Sequence, residues 1–284
     1  MSITAIITDT DASIPADIAE RLEIHQVPIN IHFGEETLRT GVDINDAELF
    51  ARVDGGDPYP TTSAPSPGQF VQAFQEAFDK GANDVICYCV SAEVSASYNA
   101  ALQARSELPE KDITVVDTRS LSLGQGFLVI AAAESAQEGA PKDEILALTE
   151  EMGGRSHLFA ALATLKYLAK SGRVPALQAS IGNLLNVMPI LTIRDGTLDL
   201  LERVRTRKKA WPRVIQLAVE AAGYKPVERM GIIHINAAKE ARQFLDLLSQ
   251  NLDAPQDTFF AELTPGLSVH GGTGMVGVVF IEGK

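Results

Sequence analysis

Short apolar, β-branched runs at residues 3–8, 27–33, 85–90 and 113–116 predict strands, and longer stretches with helical spacing lie between them. That alternation is the signature of right-handed βαβ units around a parallel sheet. After Pro67, Phe70, Phe74 and Phe78 recur every four residues, which predicts a helix with one aromatic stripe turned to the core. Residues 117–126 read as a loop. FLVIAAAESAQ and DEILALTEEM then supply two more helices, ending near Gly153 and Gly154.

The pattern changes past residue 155. Residues 156–163 predict a strand, LKYLAK a short helical turn, and 177–187 a helix that stops before Pro189. Residues 189–193 and 198–204 flank Arg194-Asp195-Gly196-Thr197, where Asp-Gly supplies the positive φ angles of a tight hairpin turn. Helices at 208–222 and 238–250 alternate with strands at 230–235, 258–263 and 275–281. The expected fold class is α/β with two domains: an N-terminal parallel-sheet α/β/α domain over 1–155 and a C-terminal α/β domain with a mixed sheet over 156–284, a ligand lying between them.

Composition narrows the function. With 24 Lys+Arg against 37 Asp+Glu, the formal charge of -13 repels phosphate backbones, so no nucleic-acid partner is expected. No apolar run approaches the roughly 20 residues of a membrane span, and MSITAIITDT lacks the basic region and cleavage site of a signal peptide. A cytoplasmic protein without an integral membrane segment is expected, transient membrane contact remaining open. Cys87 and Cys89 share one strand face and read as reduced core thiols.

Three hydroxyl-rich segments stand at the ends of predicted strands or starts of helices. Thr8-Asp9-Thr10-Asp11-Ala12-Ser13 follows the first strand, where open α/β sheets bind ligands, although capping by Thr10, Asp11 or Ser13 would explain it equally. Pro60-Thr61-Thr62-Ser63-Ala64-Pro65-Ser66-Pro67 is a proline-stiffened loop, with Ser66 placed to cap and Pro67 to open the next helix. Ser91 to Tyr98 leaves the third strand. Converging hydroxyl loops could hold a carboxylate or phosphate without formal positive charge. Gly272-Thr273-Gly274-Met275-Val276-Gly277 fits G-x-G-x-x-G, but a strand follows it, so a dinucleotide is rejected and the glycines read as a flexible turn carrying His270. The scattered histidines have no metal spacing; neither a metal nor a cofactor is expected. Arg203, Arg205, Arg207, Lys208 and Lys209 form a basic cluster suited to an acidic partner or a phosphate.

Taken together, TDTDASIP, PTTSAPSPGQF, SAEVSASYNAA, VVDTRSLSLGQG, LKYLAKSGRV, IGNLLNVMPILTIRDG, RVRTRKKA and HGGTG resemble, in order and spacing, the DegV family of bacterial lipid-binding proteins. The resemblance implies a fatty acid threaded into an apolar tunnel, its carboxylate held by hydroxyl side chains and presented to the catalytic subunit of a fatty acid kinase. It implies carboxylate binding by Thr62, Ser63 and Ser95, with Arg173 and His270 near the head group, and kinase docking through Arg205 and Arg207. This chain departs from the family where Ser95-Ala96-Ser97 replaces Ser-Gly-Thr, Ser171-Gly172-Arg173 replaces Gly-Gly-Arg, and Met188 replaces a lysine.

The expectation is a non-enzymatic carrier of a C16–C18 acid such as palmitate, with no catalytic residue. Burying 16 carbons at about 0.8 kcal/mol per methylene gives a gross gain of about 12 kcal/mol, so neutral donors could suffice at the head. Two alternatives stand beside it: a serine-dependent esterase or acyltransferase built on Ser95 and His270, and a carrier of another small anion.

Overall fold

The computed structural model describes residues 3–174, 187–223 and 225–284. Strands β1 (Thr4–Asp9), β2 (His25–Val27), β6 (Asp84–Cys89) and β7 (Ile113–Asp117) form one sheet in the order β2-β1-β6-β7, parallel throughout. Every residue of β6 is buried, as a central strand covered on both faces requires. Cys87 and Cys89 lie on one face of it, unbridged, with their sulfurs 3.9 Å apart. Helices α3 (Pro67–Asp79) and α4 (Ser97–Ser106) cover that face. The sequence of α3 acts as its spacing predicts: Ser66 and Gln69 form a reciprocal capping box, Pro67 opens the first turn, and Phe70 and Phe74 are fully buried. Phe78, at the margin, is half-buried under the Lys111 ammonium.

The strand expected over 27–33 is instead two. Pro28 carries no N–H for a ladder, so Val27 ends β2 beside Asp9 while β3 (Asn30–Phe33) turns into a separate antiparallel sheet. That sheet has the order β4-β3-β5, with β4 (Glu36–Arg39) and β5 (Thr61–Ser63). The segment expected as a hydroxyl loop therefore contains a strand, Thr62 pairing with Ile31.

The second sheet runs β10-β9-β8-β13-β11-β12: β8 (Ser156–Ala161), β9 (Met188–Arg194), β10 (Thr197–Val204), β11 (Val227–His234), β12 (Phe259–Glu262) and β13 (Val276–Glu282). Only β11 and β12 pair in parallel, so the sheet is mixed. Asp195 (φ 51°) and Gly196 (φ 81°) make the expected hairpin turn. Helices α8 (Arg207–Ala222) and α9 (Ala238–Leu248) pack Trp211, Val214 and Phe244 onto its outer face. The helix expected over 177–187 lies outside the described residues apart from Val187.

Between the two sheets lies α5 (Leu123–Gln137), buried continuously from Leu123 to Ala133. An apolar run with no polar stripe is what a helix sandwiched on both sides should carry. Leu128 and Ile130 join Ile6, Ile86 and Tyr88 of the first sheet and Leu158, Ile233 and Val279 of the second in one core. Each such large side chain contributes about 1.5–3 kcal/mol on burial. Close approach on both flanks depends on absent side chains. A Cβ on Gly126 would sit 2.6 Å from the Ala12 carbonyl, and one on Gly231 would sit 2.2 Å from Leu123. The mixed sheet's inner face is thereby brought near the ends of β1 and β6.

Candidate functional site

The chain leaves β1 for one side of the first sheet and β6 for the other, so β1 and β6 bracket the topological switch point where open α/β sheets bind ligands. Asp9 holds this point together. It is fully buried and accepts from Val90 N (2.8 Å), Asp11 N (3.1 Å) and Gln125 Nε2 (3.1 Å), with Ser97 also reaching it. Burial outweighs those bonds and pushes its pKa up to about 6. The capping expected of Thr10, Asp11 or Ser13 falls to Asp9, whose carboxylate caps a 3-10 turn, Thr10–Ala12. Thr10 Oγ1 instead accepts from Ile29 N at 3.0 Å, tying the turn to the approach of β3.

Beyond this turn opens a cavity of about 500 Å³ bordered by Asp11, Thr62, Ser63, Ser95, Arg173 and His270. The five residues singled out as head-group candidates, drawn from β5, the β6–α4 loop, the segment after α7 (Lys166–Ser171) and α10 (Pro265–Gly271), thus line one space. They differ in what they offer. Thr62 Oγ1 is 2.8 Å from His270 Nε2. Ser95 Oγ is 3.0 Å from Ser97 Oγ and accepts from Ser97 N at 3.3 Å, which fixes its direction at the start of α4. Strand alternation turns Ser63 away from Thr62, and its hydroxyl pairs with His32 Nε2 at 2.8 Å. Both hydroxyls are engaged by an imidazole, but Thr62's partner, His270, borders the cavity, whereas Ser63's partner, His32, does not.

His270 does not ride on a flexible glycine turn. It sits in the last turn of α10, and Gly272 and Gly274, both at positive φ, lead from the helix to β13. Burial, aided by the like charge of Arg173, lowers its pKa to about 4. The ring is neutral at pH 7. The Arg173 guanidinium donates to the Ser171 carbonyl and makes no ion pair with a described carboxylate, so its charge faces the cavity uncancelled by close contact.

A second, almost wholly apolar chamber of about 70 Å³ adjoins the first, and Leu121, Leu168, Leu198, Leu267 and His270 border both. It reaches Leu158, Leu191 and Ile233 on the inner face of the mixed sheet. The combination is a polar mouth of hydroxyls, a neutral imidazole, Arg173 and the carboxyl groups of Asp11 and Glu93, with an apolar throat behind it. Sequence reading missed Leu198 and Leu168 as the shared wall; only the fold apposes the hairpin and α7. It placed Asp11 in a strand-end segment suited equally to a ligand or to helix capping and did not single it out, though an acid two residues after a buried acid at a strand end was the available signal. Arg205 and Arg207 border neither chamber. Arg207 pairs with Glu240 (3.4 Å) and lies over Trp211, whereas Arg205 is exposed without an ion pair among the described residues. Ser95 and His270 are not hydrogen-bonded to one another.

A parallel sheet and a mixed sheet enclosing one buried helix, with a small antiparallel sheet beside them and an amphiphilic cavity at the switch point, define the class of α/β protein to which the chain belongs. The chain belongs to the DegV family: the family's model, described as "Uncharacterised protein, DegV family", matches residues 3–283. It is 33% identical over 275 residues to a DegV domain-containing protein of Streptomyces coelicolor, covering 97% of each chain. Among solved structures it is similar to a DegV family protein from Thermus thermophilus described for fatty acid binding (29% identity, TM-score 0.88, 98% and 99% coverage). It is likewise similar to DegV of Bacillus subtilis, described as a fatty acid binding protein (30% identity, TM-score 0.87, full coverage of both chains). No helix among the described residues is long and apolar enough to cross a membrane.

Proposed function

We propose that this protein is a non-enzymatic, cytoplasmic carrier of a long-chain fatty acid of 16–18 carbons, which it presents to the catalytic subunit of a fatty acid kinase for acyl phosphate formation. The carrying observation is that the hydroxyl-lined cavity and the leucine-lined throat adjoin, with Leu121, Leu168, Leu198, Leu267 and His270 as a shared wall. Thr62 and Ser95 donate to the carboxylate, Arg173 supplies the one positive charge, and neutral His270 orients Thr62. Ser63 supports the wall through His32. The ligand lies between an N-terminal domain ending near residue 155 and a C-terminal domain beginning with β8, because wall residues come from both sides of that division. Similarity to the fatty acid binding structures supports the same reading.

The throat's volume is about that of two or three water molecules, so a long chain enters by parting Leu168 from Leu198. A ligand without a tail would leave those leucines in place, which is why a small anion fits less well. For acyl chemistry, Ser95 has no base bonded to it among the described residues: its hydroxyl bonds Ser97, and the imidazole among the described cavity residues bonds Thr62. Arg205 and Arg207, outside the cavity, form the surface that meets the kinase. Mass spectrometry of the intact recombinant protein under native and denaturing conditions tests the reading. A fatty-acid-sized mass that leaves on denaturation is expected; a bare protein that cannot be loaded with palmitate contradicts it.

A further inference from the structure

Asp11 stands at the same cavity and none of its partners inside the fold uses its acid function. The residue is 7% exposed, and its Oδ1 is buried without a hydrogen-bond partner among the described residues. A Cβ on Gly266 would come within 2.6 Å of that oxygen, so the α10 backbone packs directly against it. The main chain is fixed on both sides: Asp11 N donates to Asp9 Oδ1 at 3.1 Å, and its carbonyl accepts from Ser122 N at 2.8 Å. An unmatched buried acceptor destabilises the fold, and no hydrogen bond among the described residues offsets it.

We propose that Asp11 is a further head-group residue, donating a carboxylic O–H to the anionic end of the bound lipid. The inference rests on the lipid-carrier reading above. The charged and titratable groups facing it are Asp9 from the end of β1, Arg173 beyond α7, His270 on α10 and Glu93 from the β6–α4 loop. Burial and the neighbouring Asp9 hold Asp11 well above the usual carboxylate range, and Arg173, not ion-paired with it, only partly opposes them. The incoming carboxylate therefore meets a neutral acid and a cation. If Asp11 were ionised, it and the ligand would put two carboxylates side by side in a chamber that Glu93 also borders, a situation that retains a proton between them. The O–H stays on Asp11 or is shared along the hydrogen bond; no other bond changes. Such a donor favours a carboxylate, a strong acceptor, over an alcohol or ester head.

The test is the affinity of the full chain for a fluorescent long-chain fatty acid between about pH 7 and about pH 9.5, where the free ligand carboxylate is ionised throughout. Parent affinity is expected to fall with rising pH, steepening toward about tenfold per pH unit once Asp11 ionises. Asp11→Asn, which keeps a donor in the same shape, and Asp11→Ser, which is neutral and smaller, should both give flat profiles while melting cooperatively. Binding by all three proteins with the same slope overturns the role of Asp11 and leaves the carrier reading standing. No binding by the parent at any pH defeats the carrier reading and this inference with it.

Discussion

The two chambers of the cavity are built on opposite principles. The mouth is assembled at the ends of a parallel sheet from hydroxyls, a neutral imidazole, the carboxyl groups of Asp11 and Glu93, and a guanidinium with no ion pair among the described residues. The throat is assembled chiefly by the inner face of the mixed sheet and holds little besides leucine, isoleucine and methionine. Neutral donors contribute about 1 kcal/mol each after desolvation, whereas methylenes contribute about 0.8 kcal/mol apiece and are many. On the proposed carrier reading, the difference assigns orientation to the mouth and retention to the throat. On the same reading a net charge of -13 does not oppose an anionic ligand, because the field of the surface is remote from a site whose affinity would be mostly apolar.

Injuring the throat should therefore cost more than injuring the mouth. Leu198→Arg, on the half-buried wall common to both chambers, forces a charge into the apolar path; fatty acid affinity measured by fluorescence titration should drop by about 100-fold or more while the melting temperature stays near that of the parent. Ser95→Ala and Thr62→Val each remove one donor. A loss of about 5- to 30-fold is expected, and a loss matching that of Leu198→Arg would invert the comparison.

A third consequence concerns pH and stability. The folded pKa of His270, about 4, lies below its unfolded value of 6.5, so in that window the unfolded chain binds more protons and stability falls as pH drops from 6.5 toward 4. Asp9, raised to about 6, and Asp46, raised to about 7 by burial that outweighs its hydrogen bond from Ser268, act oppositely: they bind protons in the folded state and favour it on the acid side. Denaturant melts of His270→Gln against the parent isolate the histidine. The variant should gain about 3 kcal/mol relative to the parent between pH 6.5 and pH 4, at fixed ligand occupancy, and an unchanged difference would mean that His270 is charged in the fold.

The smallest effect on lipid affinity is expected outside both chambers. Arg205→Glu should change fatty acid affinity less than about twofold while weakening coupling to a fatty acid kinase catalytic subunit, read as acyl phosphate formation in the reconstituted pair. Equal loss of lipid binding would place Arg205 in the mouth instead.

Much of the scaffold was legible because its signals are local. The aromatic spacing of α3, the Ser66-Pro67 start and the Asp195-Gly196 turn each act within a few residues. The break of residues 27–33 into two strands was legible too, since Pro28 cannot continue a ladder, but periodicity alone overrode it. What stayed hidden depends on residues far apart in the chain. Asp11 is set by Asp9, Gly266 and Arg173; Ser63 is turned outward by a strand pairing with residues 30 positions earlier; Leu168 and Leu198 meet only when α5 has brought the two sheets together. Hydroxyl-rich segments pointed to the mouth, whereas the throat is written in leucines that look like any other core.

The division of labour between mouth and throat is tested most directly by affinity across saturated fatty acids of increasing length, from about 10 to about 18 carbons, at fixed pH. Retention by the throat gives up to about fourfold tighter binding per added methylene until the chain outgrows the space. Affinity independent of length, carried by the carboxylate alone, would contradict the account.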